Sequence, residues 1–127
     1  MEFTYSLSKY LFGEQFEGKD DPADLARYYF DIMYYSGSFL EALEYSVERG
    51  SISTDGAGMF FGDMNDPDEY CRFEGVEFEV GDYDPPWTLR VDEATFYRWL
   101  RMACERYVVL HPEDKQKVEK LLAKAPM

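Results

Sequence analysis

A short alternating stretch in the middle of the chain restricts the fold more than any other feature. Val76, Phe78 and Val80 are apolar, while Glu77 and Glu79 between them are charged. Because successive side chains of a β-strand point to opposite faces of its sheet, this spacing predicts a strand with one buried face and one acidic face. The chain is therefore expected to contain a sheet that is half exposed at this strand.

Helical patterns stand on both sides of the strand. Pro22 follows two aspartates, which is typical of a capped helix start, and Gly50 is predicted to end the second helix of an N-terminal pair. Downstream, Asp92 is predicted to cap a long helix with one apolar side. His111 precedes Pro112, which ends that helix and begins a short last one.

Turn signals separate further strands from the central one. Asp55 and Gly56 form a hairpin-turn signal, and residues 87–91 have the composition of another strand. The order of elements predicts an α+β fold with an N-terminal helix pair, a central antiparallel strand meander, and a C-terminal long helix plus short helix. No linker or internal repeat divides the chain, so we expect residues 1–127 to form a single domain.

Negative charge is abundant and unevenly distributed. The 127 residues carry 26 acids and 13 bases, a formal net charge of −13. Such a field repels nucleic acid and anionic membranes, and it attracts cationic partners. Between Asp55 and Asp84 there are ten acids and a single base, Arg72. Solubility alone does not require this concentration of charge.

The acidic segment also contains aromatic side chains. Acids around aromatic anchors are typical of a protein–protein interface, although a Glu-rich outer sheet face over an aromatic core would give the same pattern. The interface interpretation predicts ten partner-binding residues: Asp63, Asp66, Asp68, Glu69, Glu77, Glu79, Asp82, Tyr83, Asp84 and Trp87.

Motifs for catalysis, metal binding and cofactor binding are weak. In the glycine-rich stretch 56–62 the last glycine comes one position late for a dinucleotide loop, and Asp63 follows instead of a helix. In a calcium loop starting at Asp63, Pro67 would replace a ligand and Asp68 the turn glycine. His111 is the one histidine, and its place at a helix junction favours a structural role. We predict no catalytic residue, metal, cofactor or small-molecule substrate.

The two cysteines and the N-terminus bear on location. Cys71 and Cys104 lie too far apart for a redox or zinc motif and are expected to be buried free thiols. The N-terminus lacks a basic region followed by an apolar run, and no apolar stretch is long enough to span a bilayer. These features predict a cytoplasmic protein.

The chain resembles a known class of bacterial proteins in size, layout and composition. The resemblance spans the aromatic opening Met1-Glu2-Phe3-Thr4-Tyr5, the acidic middle, and the ending from Phe96-Tyr97-Arg98-Trp99-Leu100 through Leu122. These features resemble the immunity proteins of contact-dependent growth inhibition (CDI), which block delivered toxin domains. The resemblance implies a cytoplasmic antitoxin that binds one cognate toxin one to one, often a basic nuclease. It transfers no catalytic or contact residue.

Three other functions stay open at this point. A DNA mimic that blocks a DNA-binding protein would share the acidity but needs regularly spaced carboxylates along a long surface. A small enzyme would use two carboxylates or His111. A module without a dedicated partner would carry its acids for solubility alone.

Overall fold

The structure is a computed structural model, and it describes residues 22–54, 56–81 and 85–126. Its centre is a four-stranded antiparallel sheet in the order β1-β2-β3-β4, formed by Ile52–Thr54, Ala57–Phe61, Val76–Val80 and Trp87–Val91. Thr54 pairs with Ala57, so β1 and β2 are joined by the two-residue turn that the sequence predicts. The meander prediction is therefore confirmed.

Helices stand before and after the sheet in the chain. They are α1 (Pro22–Tyr35), α2 (Phe39–Val47), α3 (Glu93–Leu110) and α4 (Lys115–Leu122), with a 3-10 turn at Pro112–Asp114 before α4. This arrangement confirms the α+β prediction. No helix among the described residues is long and apolar enough to cross a membrane.

The core lies between the helices and one face of the sheet. Val76, Phe78 and Val80 are buried there, as the alternation in β3 predicts. Phe78 is its centre, with ring centroids 5.1 Å from Tyr29 of α1 and 5.8 Å from Phe96 of α3. The opposite face of β3 carries Glu77 and Glu79. We call the surface formed by these two residues and their neighbours on β2 and β4 the outer face of the sheet.

The ends of the helices follow local rules with one exception. Asp92 caps α3 as predicted, because its Oδ1 accepts a hydrogen bond of 2.7 Å from the Thr95 amide. The end of α2 differs from the prediction. Arg49, one residue before Gly50, takes the left-handed position with φ 60°, and the Gly50 amide then donates to the Tyr45 carbonyl at 2.7 Å.

Two predictions about burial are wrong. Cys71 is exposed, because it lies in a 3-10 turn of the loop after β2, whereas Cys104 is buried in α3 as expected. Leu110, which helical spacing places on the predicted apolar side of the long helix, is 44% exposed because it is the last residue of α3. Asp21, the proposed cap of α1, lies outside the described residues, as does the aromatic opening.

Candidate partner-binding surface

A long loop between β2 and β3, residues 62–75, carries much of the charge, and we call it the acidic loop. Its base is closed by hydrogen bonds from the Gly62 amide to the Gly75 carbonyl (3.0 Å) and from the Asp63 amide to the Cys71 carbonyl (2.9 Å). A Cβ on Gly62 would lie 2.0 Å from the Phe73 carbonyl oxygen. Only glycine fits this close approach, so the loop leaves the sheet in a defined direction.

Three aspartates of the acidic loop fold it upon itself. Oδ1 of Asp63 accepts from the Asn65 amide at 2.9 Å, and Oδ1 of Asp66 accepts from the Asp68 amide at 2.8 Å. Oδ1 of Asp68 in turn accepts from the Tyr70 amide at 3.0 Å. Each carboxylate uses one oxygen for the loop backbone. The charges are thus held on an organised backbone and do not have to be ordered when a partner binds.

Two large apolar side chains project from the acidic loop among these acids. Tyr70 is 83% exposed and Met64 is 55% exposed. Asp63, Asp68 and Glu69 beside them are also exposed. An exposed aromatic side chain inside a polar rim is the usual composition of a protein-binding surface.

The outer face of the sheet continues the negative surface from the base of the loop. Glu77 of β3 is opposite Arg90 of β4, and their side chains form an ion pair with Nε and Oε1 2.7 Å apart. The Arg90 guanidinium also lies 4.1 Å from the ring centroid of Phe73. Glu79 is opposite Thr88 on one side and Gly58 on the other. Glu79 therefore has no basic residue at its paired positions in β2 and β4.

The electrostatics of Glu79 reflect this position. Burial raises the pKa of the Glu79 carboxyl above its ordinary value, and the neighbouring Glu77 carboxylate raises it further. The charged form of Glu79 is thus disfavoured in the free protein, and a cation placed beside it would relieve both effects.

A surface groove of about 640 Å³ runs along the base of the acidic loop, between the loop and the start of α3. Both arginines that line it are paired with carboxylates. Arg49 forms an ion pair with Glu93, and its guanidinium lies 5.2 Å from the Phe61 ring centroid, while Arg90 is held by Glu77. The lining also includes Asp63, so a cationic segment would meet carboxylates here.

Comparisons with known proteins identify the family and the fold. The family model described as "CDI immunity protein" matches residues 22–122. The chain belongs to this family. The match includes the acidic middle and the helical ending that carry the resemblance, and it does not include the aromatic opening. A CDI immunity protein is an antitoxin that binds a cognate toxin, so an inhibitory binding role follows from the family.

The fold of this CDI immunity protein is also found in a solved structure. The crystal structure of an immunity protein from Neisseria meningitidis MC58 matches with a TM-score of 0.67 and 19% sequence identity, over 79% of this chain and 85% of that chain. At this identity the likeness extends to the fold alone. A search of curated proteins finds no match.

The predicted contact residues lie in separate places in the structure. Asp63, Asp66, Asp68 and Glu69 lie together in the acidic loop, and Glu77 and Glu79 follow on the outer face. Trp87 of β4 is 39% exposed and pairs with Val80, the last residue of β3, on the helix side of the sheet. Val80 is about 13 Å along the strand from the end of β3 that adjoins the acidic loop. Trp87 does not share the face of Glu77 and Glu79. Asp82, Tyr83 and Asp84 lie outside the described residues.

Sequence reasoning missed two contributors to this surface. Tyr70 is not among the ten predicted contact residues, because nothing local in the sequence indicates that its ring leaves the core. Arg90 could have been found: counting outward from the predicted turn between β3 and β4 places it opposite Glu77. Among the described residues, no group of three or more His, Cys, Asp or Glu side chains is arranged to hold a metal ion.

Proposed function

We propose that this immunity protein neutralises a basic nuclease toxin in the cytoplasm, as one domain binding one toxin. The contact surface consists of the acidic loop and Glu77 and Glu79 of the outer face. The observation that carries this proposal is the exposed Tyr70 ring in a loop whose backbone already orders three aspartates. Tyr70 is the proposed apolar anchor, and the acids are its charged rim.

The charge of the surface supports a nuclease as the partner. A nuclease that binds a phosphate backbone needs Lys and Arg side chains along its substrate path. Carboxylates on an organised loop can bind the guanidinium and ammonium groups of the nuclease in place of the phosphate groups of its substrate. Asp63, Asp66, Asp68 and Glu69 of the acidic loop supply four such groups within a short stretch, and the family supplies the toxin.

Trp87, Asp82, Tyr83 and Asp84 stay in the proposal as a second contact region. Trp87 begins β4 opposite Val80, at the end of β3 away from the acidic loop, and Asp82, Tyr83 and Asp84 shortly precede it in the chain. A toxin that reached both ends of β3 would cover the outer face between them. A standard interface of roughly 1,600 Å² in total is large enough for that span.

If the gene immediately upstream encodes a large protein with a basic C-terminal domain, that domain is the toxin to test. Its cleavage of RNA and DNA is measured while the immunity protein is added in steps. We expect complete inhibition at a one-to-one molar ratio. A toxin that binds tightly but cleaves no nucleic acid would refute the nuclease assignment, and duplex DNA competing for a non-nuclease target would favour the DNA-mimic alternative.

A further inference from the structure

An aromatic pocket of about 410 Å³ lies at the far end of α3 from the acidic loop. It is formed where α1 ends, α2 begins and α3 ends. We call it the aromatic pocket, and its lining is Tyr34, Tyr35, Gly37, Phe39, Leu40, Tyr107 and His111. None of these residues belongs to the acidic loop or to the outer face of the sheet.

Carboxylates stand directly behind the aromatic wall. The Tyr34 hydroxyl lies 2.8 Å from Nε2 of His111, and Nδ1 of His111 lies 3.1 Å from a Glu113 carboxylate oxygen. The Tyr107 hydroxyl donates to Asp114 at 2.7 Å. Burial raises the pKa of the Tyr34 hydroxyl, and the Glu113 carboxylate raises it further. The pKa of Tyr107 is raised by burial first and then by Asp114 and Glu113. Glu113 and Asp114 thus place two carboxylates behind the wall of the pocket.

The helix ends add partial negative charge to these two carboxylates. α1 ends at Tyr35 and α3 ends at Leu110, and neither helix has a basic residue in its last turn. The C-terminus of a helix carries a partial negative charge that favours cations. α2 begins at Phe39 and contributes the opposite sign, but Glu41 in its first turn offsets that contribution. Neither helix end therefore has a Lys or Arg in its last turn, and His111, the C-cap residue of α3, is already bonded to Tyr34 and Glu113.

We propose that the aromatic pocket receives one Lys or Arg side chain of the toxin. The inference rests on the proposed function, which supplies a basic partner, and it adds a contact outside the acidic loop. Aromatic rings hold a cation over their faces, and the half-buried Tyr34 and exposed Tyr35 offer such rings at the pocket. An aliphatic side chain would fill the same space but would gain nothing from Glu113, Asp114 or the two helix ends.

The position of the aromatic pocket determines how large an area of the immunity protein the toxin would cover. α3 has 18 residues, so its two ends are about 25 Å apart. Asp92 and Glu93 at its start line the groove beside the acidic loop, and His111 at its end lines the aromatic pocket. A toxin that used both would lie along the length of α3.

The first test introduces a lysine at the pocket by mutation, so that its ammonium group takes the place of the toxin's cation. Tyr35→Lys puts an ammonium group at the end of α1, where it also suits the helix dipole and should leave folding intact. Tyr45→Lys is the matched control, since Tyr45 is 41% exposed on α2, does not line the pocket, and gives the same change of net charge. We expect the toxin to bind Tyr35→Lys about tenfold more weakly than Tyr45→Lys. Equal affinities would overturn the inference.

The second test does not need the toxin. N-acetyl-L-arginine methylamide is titrated into the wild-type protein while the NMR signals of Tyr34 and His111 are followed. The neutral citrulline and leucine analogues are the controls. We expect saturable shifts with the arginine probe alone, and none in Tyr35→Lys. No shift, or equal shifts with the leucine analogue, would overturn the inference. If the wild-type protein fails to bind the toxin, the proposed function fails while this titration still decides the pocket.

Discussion

Nε of Arg90 lies 2.7 Å from Oε1 of Glu77, across the β3–β4 pair on the outer face of the sheet. Glu77 is therefore paired with a base of the neighbouring strand. Glu79, two residues along the same strand, is opposite Thr88 and has a raised pKa. The two glutamates have equal formal charge but different surroundings, because Glu77 is paired with Arg90 and Glu79 has no basic residue at its paired positions.

Glu79→Gln should stabilise the free protein at neutral pH. A carboxyl with a raised pKa in the folded state binds its proton more tightly there than in the unfolded chain. Its contribution is most favourable below the ordinary carboxyl pKa of about 4.3 and is lost as the pH rises through the folded pKa. After allowance for solvent screening, we expect Glu79→Gln to raise the free energy of unfolding by roughly 0.5 kcal/mol at pH 7.

The pH dependence and a neighbouring variant check this assignment. The stabilisation should shrink as the pH falls through about 4.3 and vanish in urea unfolding near about pH 3, where Glu79 is protonated in both states. Glu77→Gln should not stabilise, because it leaves Arg90 without the ion pair seen here. If Glu77→Gln stabilised as much as Glu79→Gln, the two carboxylates would not differ as described.

Reversing both outer-face glutamates should slow association with the toxin. Glu77→Lys with Glu79→Lys removes negative charge from the proposed contact surface, so we expect the association rate to fall about tenfold at low salt and its salt dependence to weaken. Stopped-flow fluorescence measures both. Glu105→Lys with Glu119→Lys makes the same change of net charge on exposed positions of α3 and α4. Equal association rates for the two double variants would show that Glu77 and Glu79 do not contact the toxin.

Tyr70→Ala should weaken toxin binding without destabilising the fold. Tyr70 is 83% exposed, so its ring contributes little to the core. If it is the apolar anchor of the interface, its loss should speed dissociation by tenfold or more, as measured by surface plasmon resonance. Tyr45→Ala removes the same ring from α2, outside the proposed surface, and should dissociate at the wild-type rate. If Tyr70→Ala dissociated at the wild-type rate, Tyr70 would not be the apolar anchor of the interface.

Tyr29→Phe should make the protein more stable. The Tyr29 hydroxyl is fully buried beneath the sheet and has no hydrogen-bond partner in the part of the chain that the structure describes. Burial of that hydroxyl raises its pKa far above the ordinary value, so it stays protonated. Removing an unsatisfied buried hydroxyl while keeping the ring should raise the free energy of unfolding by about 1 kcal/mol. A loss of stability in thermal unfolding would mean that the hydroxyl has a partner.

Local patterns in the sequence predict most of the fold. The alternation at Val76 to Val80, the cap at Asp92 and the turn at Gly56 each depend on a few neighbouring residues, and each is confirmed. The end of α2 was predicted one residue too late. Gly50 is the residue that tolerates the left-handed conformation at least cost, but Arg49 takes it and forms its ion pair with Glu93 from that position.

The surface could be predicted only in part, because it depends on residues that are distant in sequence. The acidic loop is continuous in the chain, so its charge is visible in the sequence. The aromatic pocket brings Tyr34 together with His111, 77 positions away, and no local pattern indicates that contact. Exposure of Tyr70 and Cys71 likewise depends on the path of the loop, which the hydrogen bonds of Asp63, Asp66 and Asp68 decide.

The most direct test of the central claim is calorimetric titration of the immunity protein with the toxin domain of the neighbouring gene, at low and at high salt. We expect tight one-to-one binding whose affinity falls as salt rises, because the acidic loop and the outer face meet a cationic surface. Absence of binding at both salt concentrations would contradict neutralisation of that toxin. Tight binding with no salt dependence would contradict the acidic surface as the contact.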